Sequence, residues 1–204
     1  MRLEPFGDGA WRAELPSDTV VSRARALLDA LRAADGVLDV VVSERHVLVV
    51  PIEATEDVRA AVDALVERAL DGPVAENAGA THVVRVRYDG ADLVEVAATM
   101  GADAREVARL HAAGRYACVA VGFLPGFAYL RGLDPRLVIP RRASPRTRVP
   151  AHAVAVAGPY TGVYPFASPG GWNLLGTAVG FSPFAAASGA AIQLGDHVVF
   201  EEVA

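Results

Sequence analysis

The sequence predicts two unlike domains: a small α+β, ferredoxin-like sandwich over residues 1–79, then a mainly-β barrel over residues 80–204. Three observations predict it. The first part alternates β-branched runs with amphipathic helical patterns in the order β-α-β-β-α. Residues 71–81 (DGPVAENAGAT) are small, polar and aperiodic, as expected of a boundary between domains. Beyond them come short apolar runs separated by Gly and Pro turns, which favour an antiparallel barrel over a parallel sheet.

Residues 10–15 read as a strand and 20–33 as a helix, because Val20, Ala24, Leu27, Leu28 and Leu31 fall on one face before Gly36. Residues 37–43 and 46–50 are β-branched runs joined by Glu44 and Arg45, the pattern of a hairpin. Thr55 is placed to cap a second helix, with Glu56 and Asp57 favouring its N-terminal dipole and Gly72 and Pro73 ending it. After the boundary, residues 82–88 alternate as a strand and turn at Asp89 and Gly90. Two short helices are expected next, since Asp92 with Glu95 and Asp103 with Glu106 have the spacing of acidic caps, and Gly114 ends the second. Residues 116–123, 127–130, 154–157, 192–194 and 198–200 read as barrel strands.

Composition narrows the function. No apolar run approaches the ~20 residues of a membrane helix, and Glu4, Asp8 and Glu14 stand where a signal peptide would be basic, so a cytoplasmic protein is expected. Cys118 is the sole cysteine, in an apolar run that reads as packing rather than a nucleophile. The five histidines show no metal-binding spacing, so no metal is predicted. All 19 basic residues are arginine. Without lysine there is no Walker A phosphate loop, Schiff base or biotin attachment.

Charge is unevenly placed. Residues 122–176 hold eight Gly, eight Pro, six Arg and one acid, Asp134, so this segment carries +5 in a chain of net −5. Folded inward it would make a pocket for a small anion; left flat it would make a docking surface. Arg141, Arg142, Arg146 and Arg148 lie on a stretch held extended by Pro140, Pro145 and Pro150. Guanidinium is a planar, permanently charged fork suited to carboxylate or phosphate, and acidic partners nearby in sequence are lacking, which favours anion binding over a solvated loop. Nucleic acid is disfavoured by the acidic chain. Phe127, Tyr129, Tyr160, Tyr164 and Trp172 are candidates for a pocket wall or for ordinary packing. His111 is the candidate for proton transfer, against the alternative of an imidazolium stabilised at a helix C-terminus.

Several motifs in order resemble a known family: His111 with Tyr116, G-F-x-P-G-F-x-Y-L at 122–130, P-R-x-x-x-P-R-x-x-V-P at 140–150, A-G-P-Y-T-G-V-Y-P at 157–165 and S-P-G-G-W at 168–172. The family is that of the 5-oxoprolinase B subunits, also called allophanate hydrolase subunit 1 or KipI-like. The resemblance covers residues 87–202 and, more loosely, the first domain. It implies a cyclophilin-like barrel of the carboxyltransferase subdomain C and D type. It further implies two partners, the KipA-like C and the LamB/YcsF-like A subunits, in ATP-dependent opening of 5-oxoproline to glutamate. Relatives also form half of a urea carboxylase carboxyltransferase or inhibit a histidine kinase. With the chemistry above, it implies His111 and Arg146 in catalysis, and Arg141, Arg148, Tyr129, Tyr160 and Thr161 around a small anionic substrate. The sequence departs from the family pattern at His152 and Ala153, where Gly-Ser is usual, and at Asn173, where Gln is usual. It also departs at Gly176, followed directly by Thr177 where the family has G-R-T.

Overall fold

The computed structural model describes residues 3–17, 19–71 and 79–204. Two compact units comprise Met1–Ala78 and Gly79–Ala204. Gly72, Pro73 and most of the expected boundary segment lie outside the described residues.

The first unit contains β1 (Glu4–Phe6), β2 (Ala10–Glu14), α1 (Val21–Arg32), β3 (Val37–Val42), β4 (His46–Pro51) and α2 (Glu56–Asp71). Its sheet has the order β1-β2-β4-β3, with every pairing antiparallel. Trp11 and Ala13 lie opposite Val49 and Val47, which lie opposite Val40 and Val42, so one face gathers all six buried side chains. Helix α1 contributes Leu27, Leu28 and Leu31, and α2 contributes Val62 and Val66. Thr55 Oγ1 accepts from Val58 N at the start of α2. The expected β-α-β-β-α order is present, but the place beside β2 where a ferredoxin-like sandwich puts a strand after its second helix is taken by β1. That three-residue strand, with Pro5 in its middle, is tolerated because it forms a sheet edge.

The second unit contains β5 (Thr81–Arg87), α3 (Leu93–Met100), α4 (Ala104–Ala113), β6 (Arg115–Val121), β7 (Ala128–Arg131), β8 (Arg146–Val149), β9 (Ala153–Ala157) and β10 (Tyr160–Val163). It continues with β11 (Ser168–Gly170), β12 (Asn173–Val179), β13 (Phe184–Ala185), β14 (Gly189–Ala190) and β15 (His197–Glu202). Seven strands close a barrel in the order β10-β7-β6-β15-β5-β12-β9. Closure leaves this sheet without an unpaired edge. One pairing corrects the antiparallel expectation: β15 runs parallel to β5, from His197 opposite Thr81 to Glu202 opposite Val86. Residues 192–194, expected as a strand, form an irregular segment leading into β15.

Strand β9 is buried at all five positions because both its faces are covered. Val154 faces a core with Val84, Tyr116, Leu130, Val198 and Phe200. Ala153, Ala155 and Ala157 pack with Phe127, Tyr164, Trp172 and Leu174. A third cluster joins α3 and α4 to Leu137, Val156 and Leu175. Strands β8 and β11 form a separate two-stranded sheet, and the arginine segment leads into it.

Candidate functional site

The segment before β8 is fixed by its backbone. Gly158 N donates to Ile139 O at 2.6 Å, Arg142 N donates to Gly171 O at 2.8 Å, and the Asn173 side chain donates to Pro140 O at 2.9 Å. Its arginines then diverge. Arg142 Nη1 reaches Asp92 Oδ1 at 2.7 Å and Glu95 Oε2 at 2.9 Å, while Arg146 Nη2 reaches the same Asp92 oxygen at 2.5 Å. Asp92 is only 2% exposed, and its other oxygen accepts from Leu174 N at 2.7 Å. This corrects two expectations. Arg142 and Arg146 do have acidic partners, hidden from sequence inspection by about fifty intervening residues. Asp92 does not cap α3 with its side chain, because Arg142, Arg146 and Leu174 occupy it. At α4, Asp103 caps as expected, accepting from Glu106 N at 2.8 Å.

Arg141 and Arg148 are left without an ion pair or hydrogen bond among the described residues, and Arg141 stands at the junction of two clefts that it helps to line. One cleft, about 240 Å³, is aromatic: Phe123, Phe127, Tyr129, Tyr164 and Trp172 surround it, with Gly170 and Gly171 contributing backbone. The other, about 370 Å³, is more polar and includes Glu95, Thr99, Ser144 and Asn173. The rings meet edge to face, Phe127 lying 5.2 Å from both Tyr164 and Trp172 and 5.1 Å from Tyr129. Burial raises the pKa of the Tyr129 and Tyr164 phenols although Arg141 pulls the other way, so both remain hydrogen-bond donors at neutral pH.

Two local features shape the aromatic wall. A Cβ on Gly170 would lie 2.4 Å from the Tyr164 hydroxyl, so only glycine allows that approach. In the turn before β7, Gly126 has φ +82° and would bring a Cβ within 2.5 Å of Pro183 O. Phe123, in the same turn, has φ +72° and is 60% exposed, its ring 5.5 Å from Phe127. A left-handed bulky residue stores backbone strain, here at the mouth of a cleft. Phe123 was not among the expected site residues, since the sequence shows the turn but not its handedness.

The other expected residues divide into separate groups. His111 is fully buried, its ring 4.5 Å from Phe200. Its Nδ1 is 2.8 Å from the Tyr88 hydroxyl and its Nε2 2.8 Å from Thr161 Oγ1. Thr161 spends its single proton on Ala155 O, so it accepts from Nε2–H and Tyr88 donates to Nδ1. Burial lowers the imidazole pKa to about 3, so the ring is neutral, and the helix-end imidazolium alternative does not hold. His111 and Thr161 form a polar strut inside the barrel and line neither cleft. Arg148 is exposed on β8 and lines neither cleft, and Tyr160 packs on Tyr129 at 5.7 Å with Arg131 over its ring. The two clefts thus bring together Arg141 and Tyr129 and are not lined by His111, Thr161, Arg146, Arg148 or Tyr160. Where the family's extra arginine would fall, Thr177 donates to Asp89 at 2.9 Å.

Among the described residues, no group of three His, Cys, Asp or Glu side chains is arranged to hold a metal, and no helix is long and apolar enough to cross a membrane.

Known proteins share this architecture. The family described as carboxyltransferase domain, subdomain C and D, matches residues 1–188. The 5-oxoprolinase B subunit of Haemophilus influenzae is 32% identical over 182 residues, 86% of this chain and 85% of that protein. The 5-oxoprolinase B subunit of Escherichia coli O157:H7 is 49% identical over 96 residues, 46% of this chain and 44% of that protein, so that match spans less than half of the relative. The crystal structure of TTHA0988 superposes with a TM-score of 0.79 at 37% identity, over 96% of this chain and 39% of that one. Urea amidolyase of Kluyveromyces lactis gives a TM-score of 0.71 at 16% identity, over 98% of this chain and 15% of that one, a likeness of fold alone. With the family matched over residues 1–188 and 86% of the chain aligned with the Haemophilus protein, the chain belongs to the carboxyltransferase subdomain C and D family, alongside the 5-oxoprolinase B subunits it matches.

Proposed function

We propose that this chain is the B subunit of an ATP-dependent enzyme that opens 5-oxoproline to glutamate, with the substrate's carboxylate held on Arg141. Ring opening breaks the lactam C–N bond and adds water across it, with ATP as a co-substrate of the complex. The observation that carries the reading is Arg141, unpaired among the described residues and set between two clefts, in a chain aligned with a 5-oxoprolinase B subunit over 86% of its length. A guanidinium without a protein partner, flanked by aromatic rings, suits a small, flat, anionic ring. The phenols of Tyr129 and Tyr164 supply neutral donors beside it. His111 is sealed away from both clefts, so proton transfer falls to groups brought by the partners, the KipA-like C and the LamB/YcsF-like A subunits.

The test is reconstitution with those two proteins and measurement of ATP consumption that depends on 5-oxoproline. Arg141→Gln is expected to raise KM roughly tenfold or more, the effect of deleting one charge-assisted contact, while the complex still assembles. Unchanged KM would remove Arg141 from the site, and ATP consumption indifferent to 5-oxoproline would remove the function.

A further inference from the structure

The polar cleft beside Arg141 contains one buried side chain with an unused atom. Asn173 begins β12 and is only 8% exposed. Its Nδ2 lies 2.9 Å from Pro140 O and 3.4 Å from Val156 O. Both partners are carbonyl oxygens, which only the NH2 end can satisfy, so the amide orientation is settled by its surroundings. Its Oδ1 accepts no hydrogen bond among the described residues, and the residue lines the cleft together with Arg141. The result is a fixed acceptor and an unpaired cation bordering one 370 Å³ space.

The neighbours do not supply the missing donor. Thr99 gives its hydroxyl proton to Glu95 O at 3.0 Å, and Arg142 is committed to Asp92 and Glu95. An acceptor held in this way favours a ligand that carries an N–H, because a ligand without one leaves it unpaired.

The geometry points to Asn173 as the residue that selects an amide N–H in the ligand whose anionic group Arg141 holds. The ligand class is a small cyclic amide bearing a carboxylate, read at two points: N–H to Asn173 Oδ1 and carboxylate to the Arg141 guanidinium. This rests on the proposed function and adds the origin of its selectivity.

The test is titration calorimetry on the full chain in complex with its partner proteins, without ATP, using 5-oxoproline and the lactone of the same shape in which oxygen replaces the ring N–H. The unaltered complex is expected to bind the lactam roughly tenfold more tightly than the lactone. Asn173→Leu should bring the two affinities together, whereas Arg141→Gln should weaken both and preserve their ratio. Asn173→Ala, a smaller replacement that also lacks an acceptor, serves where the leucine variant does not fold. Equal binding of lactam and lactone by the unaltered complex would overturn the role of Asn173 and leave the proposed function standing. A ratio that survives in a folded Asn173 variant would do the same. Absence of lactam binding would overturn both.

Discussion

Replacing Asp92 with alanine removes the carboxylate that two arginines and a backbone amide share. Asp92 is 2% exposed, whereas the Arg142 and Arg146 side chains are 29% and 25% exposed and can turn partly to water. Breaking a buried ion pair from one side costs about 3 to 5 kcal/mol, and that partial exposure puts Asp92→Ala near about 3 kcal/mol. At a urea slope of about 2 kcal/mol per molar, the unfolding midpoint should fall by roughly 1.5 M. The two tryptophans, Trp11 and Trp172, lie one in each unit. In a Trp11→Phe background, Trp172 fluorescence therefore follows the barrel unit alone. Arg141→Ala, measured the same way, should shift the midpoint by less than about 0.3 M, as for an unpaired surface charge. An Asp92→Ala shift below about 0.5 M would show that these are ordinary surface pairs and that Arg146 is available to bind ligand.

Two other outcomes follow from buried and strained groups. His111 has its pKa lowered to about 3 in the fold against 6.5 as its ordinary value, so between those values the unfolded chain binds a proton that the folded chain refuses. Its stability contribution is intact above pH 6.5 and is lost on acidification, by about 2 kcal/mol at pH 5. The difference in urea stability between wild type and His111→Gln should shrink accordingly as pH falls, and a constant difference would contradict a neutral buried ring. Phe123→Asn places a residue that tolerates the left-handed region at φ +72°, so the melting temperature should hold or rise by about 3 °C while 5-oxoproline binding weakens. A lower melting temperature with unchanged binding would show that the ring serves packing alone.

Local pattern made much of the fold readable. Helices α1 and α4 could be placed because their apolar positions and the Asp103 cap are local features. The hairpin of β3 and β4 was legible in two β-branched runs. Strands β8, β10 and β12 were obscured by Gly, Pro and alternating Arg, and they are strands only because neighbours in the barrel or in the β8–β11 sheet pair with them. The arginine cluster marked the segment that borders both clefts, but which of its arginines are paired depends on Asp92, just before α3 and fifty residues earlier. His111 illustrates the opposite case: an ionisable residue near a motif, whose isolation from both clefts follows from burial that no short window of sequence displays.

The parallel pairing of β5 with β15 has a kinetic consequence. His197 must find Thr81 across 116 positions of chain, so the ring of strands cannot close until nearly the whole unit has emerged from the ribosome. Until then β5 and β6 each lack a neighbour, and their apolar faces, with Val84, Val86, Tyr116 and Cys118, stay exposed to other chains. Contacts of such long range slow folding and lengthen that interval. Loss of the final strand alone would therefore promote aggregation during synthesis even though Arg141 and both clefts lie elsewhere in sequence.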